Sequence, residues 1–169
     1  FILATVHRRE NWGESLVEIC EGFKLILQKY KKIKFIIPMH PNKIVRDELI
    51  SILGSHSRVK LIDPLPYDEL ITLIRRTKLV LTDSGGLQEE APALGKPVLV
   101  LRNMTERTEA LESGASKLVG KSRKGIFEGV DNVLSNTTEY QKMANAINPY
   151  GNGNASEIIA LECEKLIER

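Results

Sequence analysis

The sequence predicts an α/β domain built on a doubly wound parallel sheet of about six strands. Three observations lead there. Short apolar runs alternate strictly with helical repeats along the chain, the pattern of a sheet laid down one strand and one crossover helix at a time. The runs are apolar at successive positions instead of every second one, as strands covered on both faces are. Polar clusters follow the first five runs, and in such sheets ligands bind beyond the carboxyl ends of the strands.

Taken in order, residues 1–6 are a short apolar strand that ends in the cluster His7-Arg8-Arg9-Glu10-Asn11. From residue 14 to about 30, Leu16, Ile19, Phe23, Ile26 and Leu27 recur at helical spacing. Residues 34–38 form the second strand, closing with Met39-His40-Pro41-Asn42, and a helix over 43–53 is stopped by Gly54. Residues 59–62 are the third strand, and a turn through Pro64 and Pro66 opens a helix, with Pro66 suited to its first position. Residues 78–81 form the fourth strand; the helix after Gly86 is short, because Pro92 removes an interior hydrogen bond and Gly95 can cap it. Residues 97–101 are the fifth strand, 107–113 a brief helix and 116–119 a sixth strand. Beyond residue 124 the pattern is helical, with breaks near Asn136 and over 148–153, and a last helix over 155–167.

The chemistry concentrates in Thr82-Asp83-Ser84-Gly85-Gly86-Leu87-Gln88-Glu89-Glu90, where a buried strand hands over to a helix. Gly85 and Gly86 let a ligand approach the backbone, and the first amides of the helix lack intrahelical partners, so an anion there gains hydrogen bonds and a favourable dipole. Ser84 can add a hydroxyl. The same residues also read as a tight turn, with Asp83 or Ser84 as N-cap and Glu89 and Glu90 complementing the helix dipole. If a nucleotide binds, Glu90 should face neutral hydroxyls, for which a ribose diol is the natural candidate. Arg107, in Thr105-Glu106-Arg107, would take the phosphate charge through two parallel hydrogen bonds.

At 169 residues the chain is one domain, with 42% hydrophobic and 27% charged residues. A formal charge of +2 and 5% aromatics give neither the basic surface nor the stacking residues of a nucleic-acid binder. No apolar run approaches the roughly 18 residues of a membrane span. Cys20 and Cys163 each sit in a helical pattern and read as reduced thiols, which suits a cytoplasmic protein. No G-x-G-x-x-G follows the first strand, and there is no Walker motif, nucleophile elbow or convincing metal set among the scattered aspartates and His7, His40 and His56. Because the chain begins inside a strand, we expect a C-terminal half of a longer protein.

Together, residues 5–11, Pro38-Met39-His40-Pro41-Asn42, residues 82–92, Leu94-Gly95-Lys96-Pro97-Val98, Thr105-Glu106-Arg107 and Asn148-Pro149-Tyr150-Gly151 resemble the non-hydrolysing UDP-N-acetylglucosamine 2-epimerases over essentially the whole chain. The resemblance implies the C-terminal, UDP-binding half of a glycosyltransferase-B type pair of Rossmann-like domains, with the active site between the halves. It implies that Ser84, Gly85 and Gly86 hold the diphosphate, Glu90 the ribose and Arg107 the phosphates. It makes His7 an active-site histidine near the departing group. It assigns Arg8 and His40 to a second UDP-GlcNAc molecule acting as an allosteric activator.

Leu70 stands where many members have a phenylalanine whose backbone helps to read the uracil. Thr108 replaces the usual proline after Arg107, which is expected to loosen that turn, and Asn152 replaces a usual aspartate. The implied reaction interconverts UDP-GlcNAc and UDP-ManNAc by elimination and re-addition of UDP, without a cofactor, in a homodimer serving cell-envelope polysaccharide synthesis. The carboxylates for the ring carbon would lie in the absent N-terminal half, so this chain alone is expected to bind UDP without turnover. The last helix, deprived of that half, is expected to fray after Asn148. A glycosyltransferase of the same architecture and a non-catalytic nucleotide-sugar-binding module are the alternatives.

Overall fold

A computed structural model describes residues 1–151 and 153–167; the Asn152 position lies outside them. Six strands form one all-parallel sheet: β1 (Ile2–Thr5), β2 (Phe35–Pro38), β3 (Val59–Ile62), β4 (Leu79–Thr82), β5 (Val98–Val100) and β6 (Ser116–Leu118). Their spatial order is β3-β2-β1-β4-β5-β6. The order reverses between β1 and β4, which makes the crevice beyond those two strands the expected ligand position. Register there is fixed by backbone pairing of Thr5 with Thr82, whose hydroxyls lie 2.6 Å apart.

Eight helices complete the described fold: α1 (Glu14–Lys29), α2 (Lys43–Leu53), α3 (Tyr67–Arg76), α4 (Gly85–Ala93), α5 (Thr108–Glu112), α6 (Arg123–Ser135), α7 (Thr137–Ala144) and α8 (Ala155–Ile167). One sheet face packs Ile2, Ala4, Phe35, Ile37, Leu79, Leu81 and Leu99 against buried residues of α1, α2 and α6. Phe23 of α1 stacks on Phe35, with ring centroids 4.8 Å apart. The other face packs Leu3, Val80, Val98 and Val100 against Ile74 of α3 and Leu87 and Ala91 of α4. The four inner strands β1, β2, β4 and β5 are almost wholly buried, as their unalternating apolar runs required, while the edge strands β3 and β6 are partly exposed.

Several element ends differ from expectation. Pro66 is the N-cap of α3, not its first helical residue, with an extended ψ of 155°. The helix after β4 begins at Gly85 instead of after Gly86, and it accommodates Pro92 at its penultimate position. What ends it is Gly95 at φ +66°: Lys96 N–H donates to Ala91 O and Gly95 N–H to Pro92 O, a Schellman closure. A one-turn 3-10 helix, Arg9–Asn11, occupies the polar cluster after β1. Cys20 is buried and Cys163 exposed, both free thiols. The last helix, α8, runs from Ala155 to Ile167, and none of its residues is buried. No helix among the described residues is long and apolar enough to cross a membrane.

Candidate functional site: an anion cradle at the switch point

His7, Arg8, His40, Leu70, Ser84, Gly85, Gly86, Glu90 and Arg107 all lie in segments that follow the carboxyl ends of strands, and Asp83 explains how the first loop is held there. Its side chain is fully buried. It is not the N-cap of α4. Instead His7 N–H donates to both carboxylate oxygens at 3.0 Å, Arg8 N–H to Oδ2 at 2.9 Å, and Asn11 Nδ2 to Oδ2 at 2.8 Å. Asn11 Nδ2 also reaches Leu101 O at 3.1 Å, so one buried amide ties the β1 loop to both β4 and β5. Burying a carboxylate is tolerable when several N–H donors meet it.

Ser84 occupies the N-cap position of α4, but its side chain makes no capping hydrogen bond. Its backbone N–H is taken by Thr82 Oγ1 at 2.9 Å. The first intrahelical bond, from Gln88 N–H to Ser84 O, leaves the amides before it facing the crevice. A Cβ placed on Gly85 would stand 3.7 Å from Arg107 Nη2 and 3.8 Å from Arg8 Nη2. Guanidiniums from the β1 and β5 loops thus converge on one helix N-terminus. Like charges held to one point repel, and an anion between them converts that repulsion into two attractions. A Cβ on Gly86 would meet Glu90 Oε1 at 3.8 Å and Ser84 Oγ at 3.9 Å, so the hydroxyl and the carboxylate flank the second glycine.

Arg107 is aimed by its neighbours. Its Nε donates to Glu89, and its backbone N–H to Thr105 Oγ1 at 3.2 Å. Thr105 Oγ1 in turn donates to Gln88 Oε1 at 2.7 Å, and Gln88 Nε2 donates to Ser84 O at 3.1 Å. The fully buried Gln88 therefore connects the glycine turn to the arginine loop. Thr108 is the first residue of α5, and the turn before it is held by these bonds without a proline.

Beside the cradle is a cavity of about 250 Å³ lined by Thr5, His7, Pro38, Pro64, Leu65, Tyr67, Leu70, Ser84, Gly86, Leu87 and Glu90. One end is apolar, the other polar. Leu70 contributes to the apolar wall, and its N–H is already donated to Pro66 O at 2.9 Å. Burial raises the Glu90 carboxyl above its ordinary value, and neighbouring Glu89 adds to the shift, a state suited to hydroxyl partners and not to phosphate. Burial pushes the His7 imidazole below its ordinary value; Asp83 opposes this and His40 reinforces it. The His7 and His40 rings meet edge-on with centroids 5.6 Å apart, and Trp12 lies 6.0 Å from His40. His40 Nδ1 also accepts Asn42 N–H at 3.1 Å. A larger groove of about 390 Å³, lined by Ile36, Lys60, Ile62, Leu65, Asp68, Glu69, Thr72, Leu73 and Arg76, contains no histidine, and the first turn of α3 that borders it carries the acids Asp68 and Glu69, which repel an anion.

The family model described as UDP-N-acetylglucosamine 2-epimerase matches residues 1–162. The chain belongs to that family. A UDP-N-acetylglucosamine 2-epimerase of Campylobacter jejuni is 45% identical over 167 residues, which are 99% of this chain and 42% of that protein. The chain therefore spans less than half the length of such relatives. Among solved structures, the epimerase of Neisseria meningitidis bound to UDP-GlcNAc superposes with a TM-score of 0.92 at 45% identity, covering 99% of this chain and 44% of that one. The Staphylococcus aureus MnaA–UDP structure does so with a TM-score of 0.94 at 39% identity, covering 99% and 46%. The C-terminal domain of a group 1 glycosyl transferase from Francisella tularensis, at 18% identity and a TM-score of 0.68, shares the fold alone. The epimerase-family fold thus accounts for the sheet order.

Sequence reasoning missed Asp83 as an anchor, and with it Asn11 and Gln88, and it missed Arg102, a buried guanidinium paired with Glu10 and Glu106. Arg102 directly follows an apolar strand and has Glu106 four residues on, a charge pairing that could have flagged it. The partners of Asp83 are some 75 residues upstream, and no local pattern reports them.

Proposed function

We propose that this chain is the UDP-binding C-terminal half of a non-hydrolysing UDP-N-acetylglucosamine 2-epimerase that interconverts UDP-GlcNAc and UDP-ManNAc by elimination and re-addition of UDP. The convergence of Arg8 and Arg107 on Gly85 at the N-terminus of α4 carries the reading. In it the diphosphate lies on the amides of Gly85 and Gly86, with Ser84 and the two guanidiniums around it. Glu90 takes the ribose, and the uracil enters the apolar end of the cavity beside Leu70.

As the bond from sugar to diphosphate breaks, negative charge grows on the departing oxygen. Preorganised amides and guanidiniums stabilise that charge without reorienting. His7, on the cavity wall, supplies a hydrogen bond or proton to the same oxygen. The groups that act on the ring carbon belong to the N-terminal half in this reading, so the chain alone binds UDP without turnover. Exposed Ile158, Ile159, Leu161, Leu166 and Ile167 of α8 give that half an apolar face to cover. Arg8 and His40 are also assigned to a second UDP-GlcNAc acting as activator, so in this reading Arg8 lies between that molecule and the diphosphate. The full-length protein is read as a cytoplasmic homodimer supplying cell-envelope polysaccharide synthesis.

The test is incubation of the full-length protein with UDP-GlcNAc and no acceptor. Appearance of UDP-ManNAc is the expected result. Sugar transfer that requires an added acceptor would identify a glycosyltransferase, and binding without any conversion a nucleotide-sugar-binding module; either contradicts the reading.

A further inference from the structure

We propose that Arg102, acting through Glu10 and Glu106, is a positioning residue that fixes the spacing of the two guanidiniums at the phosphate cradle. The proposal rests on the diphosphate reading of Gly85. Arg102 follows β5 and is 4% exposed. Its Nε donates to Glu10 Oε1 at 2.8 Å, its Nη1 to Glu106 Oε2 at 2.7 Å and its Nη2 to Glu106 Oε1 at 3.2 Å.

The partners are adjacent to the cradle in the chain: Glu10 lies two residues past Arg8, and Glu106 immediately precedes Arg107. A planar guanidinium held at three nitrogens cannot rotate, so it fixes both carboxylates relative to each other. With them it fixes the loops that present Arg8 and Arg107. Lys121 Nζ secures the first loop further by donating to Glu10 O at 2.8 Å. Hydrogen bonds from Arg102 hold the Glu106 carboxyl down at about 2.

Both acids are well exposed, with side chains 44% and 61% accessible. Neither needs Arg102 to relieve its own burial, so removing Glu106 leaves no buried charge on the acid side. This sets up a test whose sign is informative. Simple electrostatics predicts that deleting a carboxylate beside an anion site tightens anion binding. The positioning role predicts the reverse, because Arg107 loses its fixed bearing.

Calorimetric titration of UDP and of uridine into the full-length protein and its Glu106→Ala and Arg102→Met variants decides between them. Glu106→Ala is expected to weaken UDP binding by about three- to tenfold with uridine affinity unchanged, alongside a lower melting temperature because the buried Arg102 guanidinium keeps only Glu10 as its partner. The further loss on adding Glu106→Ala to an Arg107→Ala background is expected to vanish, whereas Arg102→Met, which also releases Glu10 and the Arg8 loop, should keep part of its loss there. Unchanged or tighter UDP binding in Glu106→Ala overturns the proposal, as does a parallel loss of uridine affinity or an equal loss in the Arg107→Ala background. Wild-type protein that binds no UDP overturns the diphosphate reading and this inference together, whereas intact wild-type binding with an unaffected variant overturns this inference alone.

Discussion

Asp83 and His7 show how one residue can be fixed for the sake of another. The Asp83 carboxylate accepts the His7 and Arg8 backbone N–H groups, which turns the chain sharply at the end of β1 and leaves the imidazole on the cavity wall. Burial, more than any charge, sets the protonation of that imidazole, holding it below its ordinary value. Between its lowered folded value and the unfolded value of about 6.5, the unfolded chain binds more protons, so acid in that window destabilises the domain. A bound diphosphate works in the opposite direction, since nearby negative charge favours the imidazolium. Affinity for a UDP-sugar, whose diphosphate does not itself titrate there, is therefore expected to rise as pH falls from about 8 to 5, by up to about tenfold per unit of upward shift in His7. Titrations across that range check it, and His7→Asn should flatten the profile. The histidine and the glycines were legible because type and position relative to a strand end point to them. Of the two N-cap candidates Ser84 takes the position, and the anchoring role of Asp83 is not legible because its partners, the His7 and Arg8 amides and the Asn11 side chain, lie far upstream.

At the scale of elements, strand positions were legible to within one or two residues, because short apolar runs between turn residues leave few alternatives. Helix starts were legible as closely, the widest miss being the two residues at α4. Gly85 begins α4 despite its poor helix propensity, since an N-terminal glycine gives up little and leaves the cradle open. Pro92 stays inside because the Schellman turn at Gly95 follows at once and closes the helix. The expected weakness of Thr108 is also modest in effect: the turn is held by Thr105 and by the Arg107–Glu89 pair. Thr108 stands at the first position of α5, where the amide has no intrahelical partner and a proline fits. Thr108→Pro is accordingly expected to stabilise the domain by about 0.4–1 kcal/mol through the unfolded chain, read as a higher melting temperature with UDP affinity unchanged.

For the whole molecule, alternation of strands and helices announced a parallel sheet, but the order β3-β2-β1-β4-β5-β6 follows from which faces the helices cover, and that is a property of packing. The order matters because it brings the ends of β1 and β4 together at the switch point, with β5 beside them. Loops distant in sequence thereby supply Arg8, the glycine turn and Arg107 to one place. The remaining uncovered apolar surface on α8 is the part of the molecule that sequence and fold leave for the proposed N-terminal half. The central claim, that this crevice is a diphosphate site complete within the chain, is tested most directly by calorimetric titration of UDP into the domain and its Arg107→Ala variant. We predict saturable binding to the wild type, weakened at least about tenfold by the substitution. Failure of the folded wild-type domain to bind UDP, or equal binding by the variant, would contradict it.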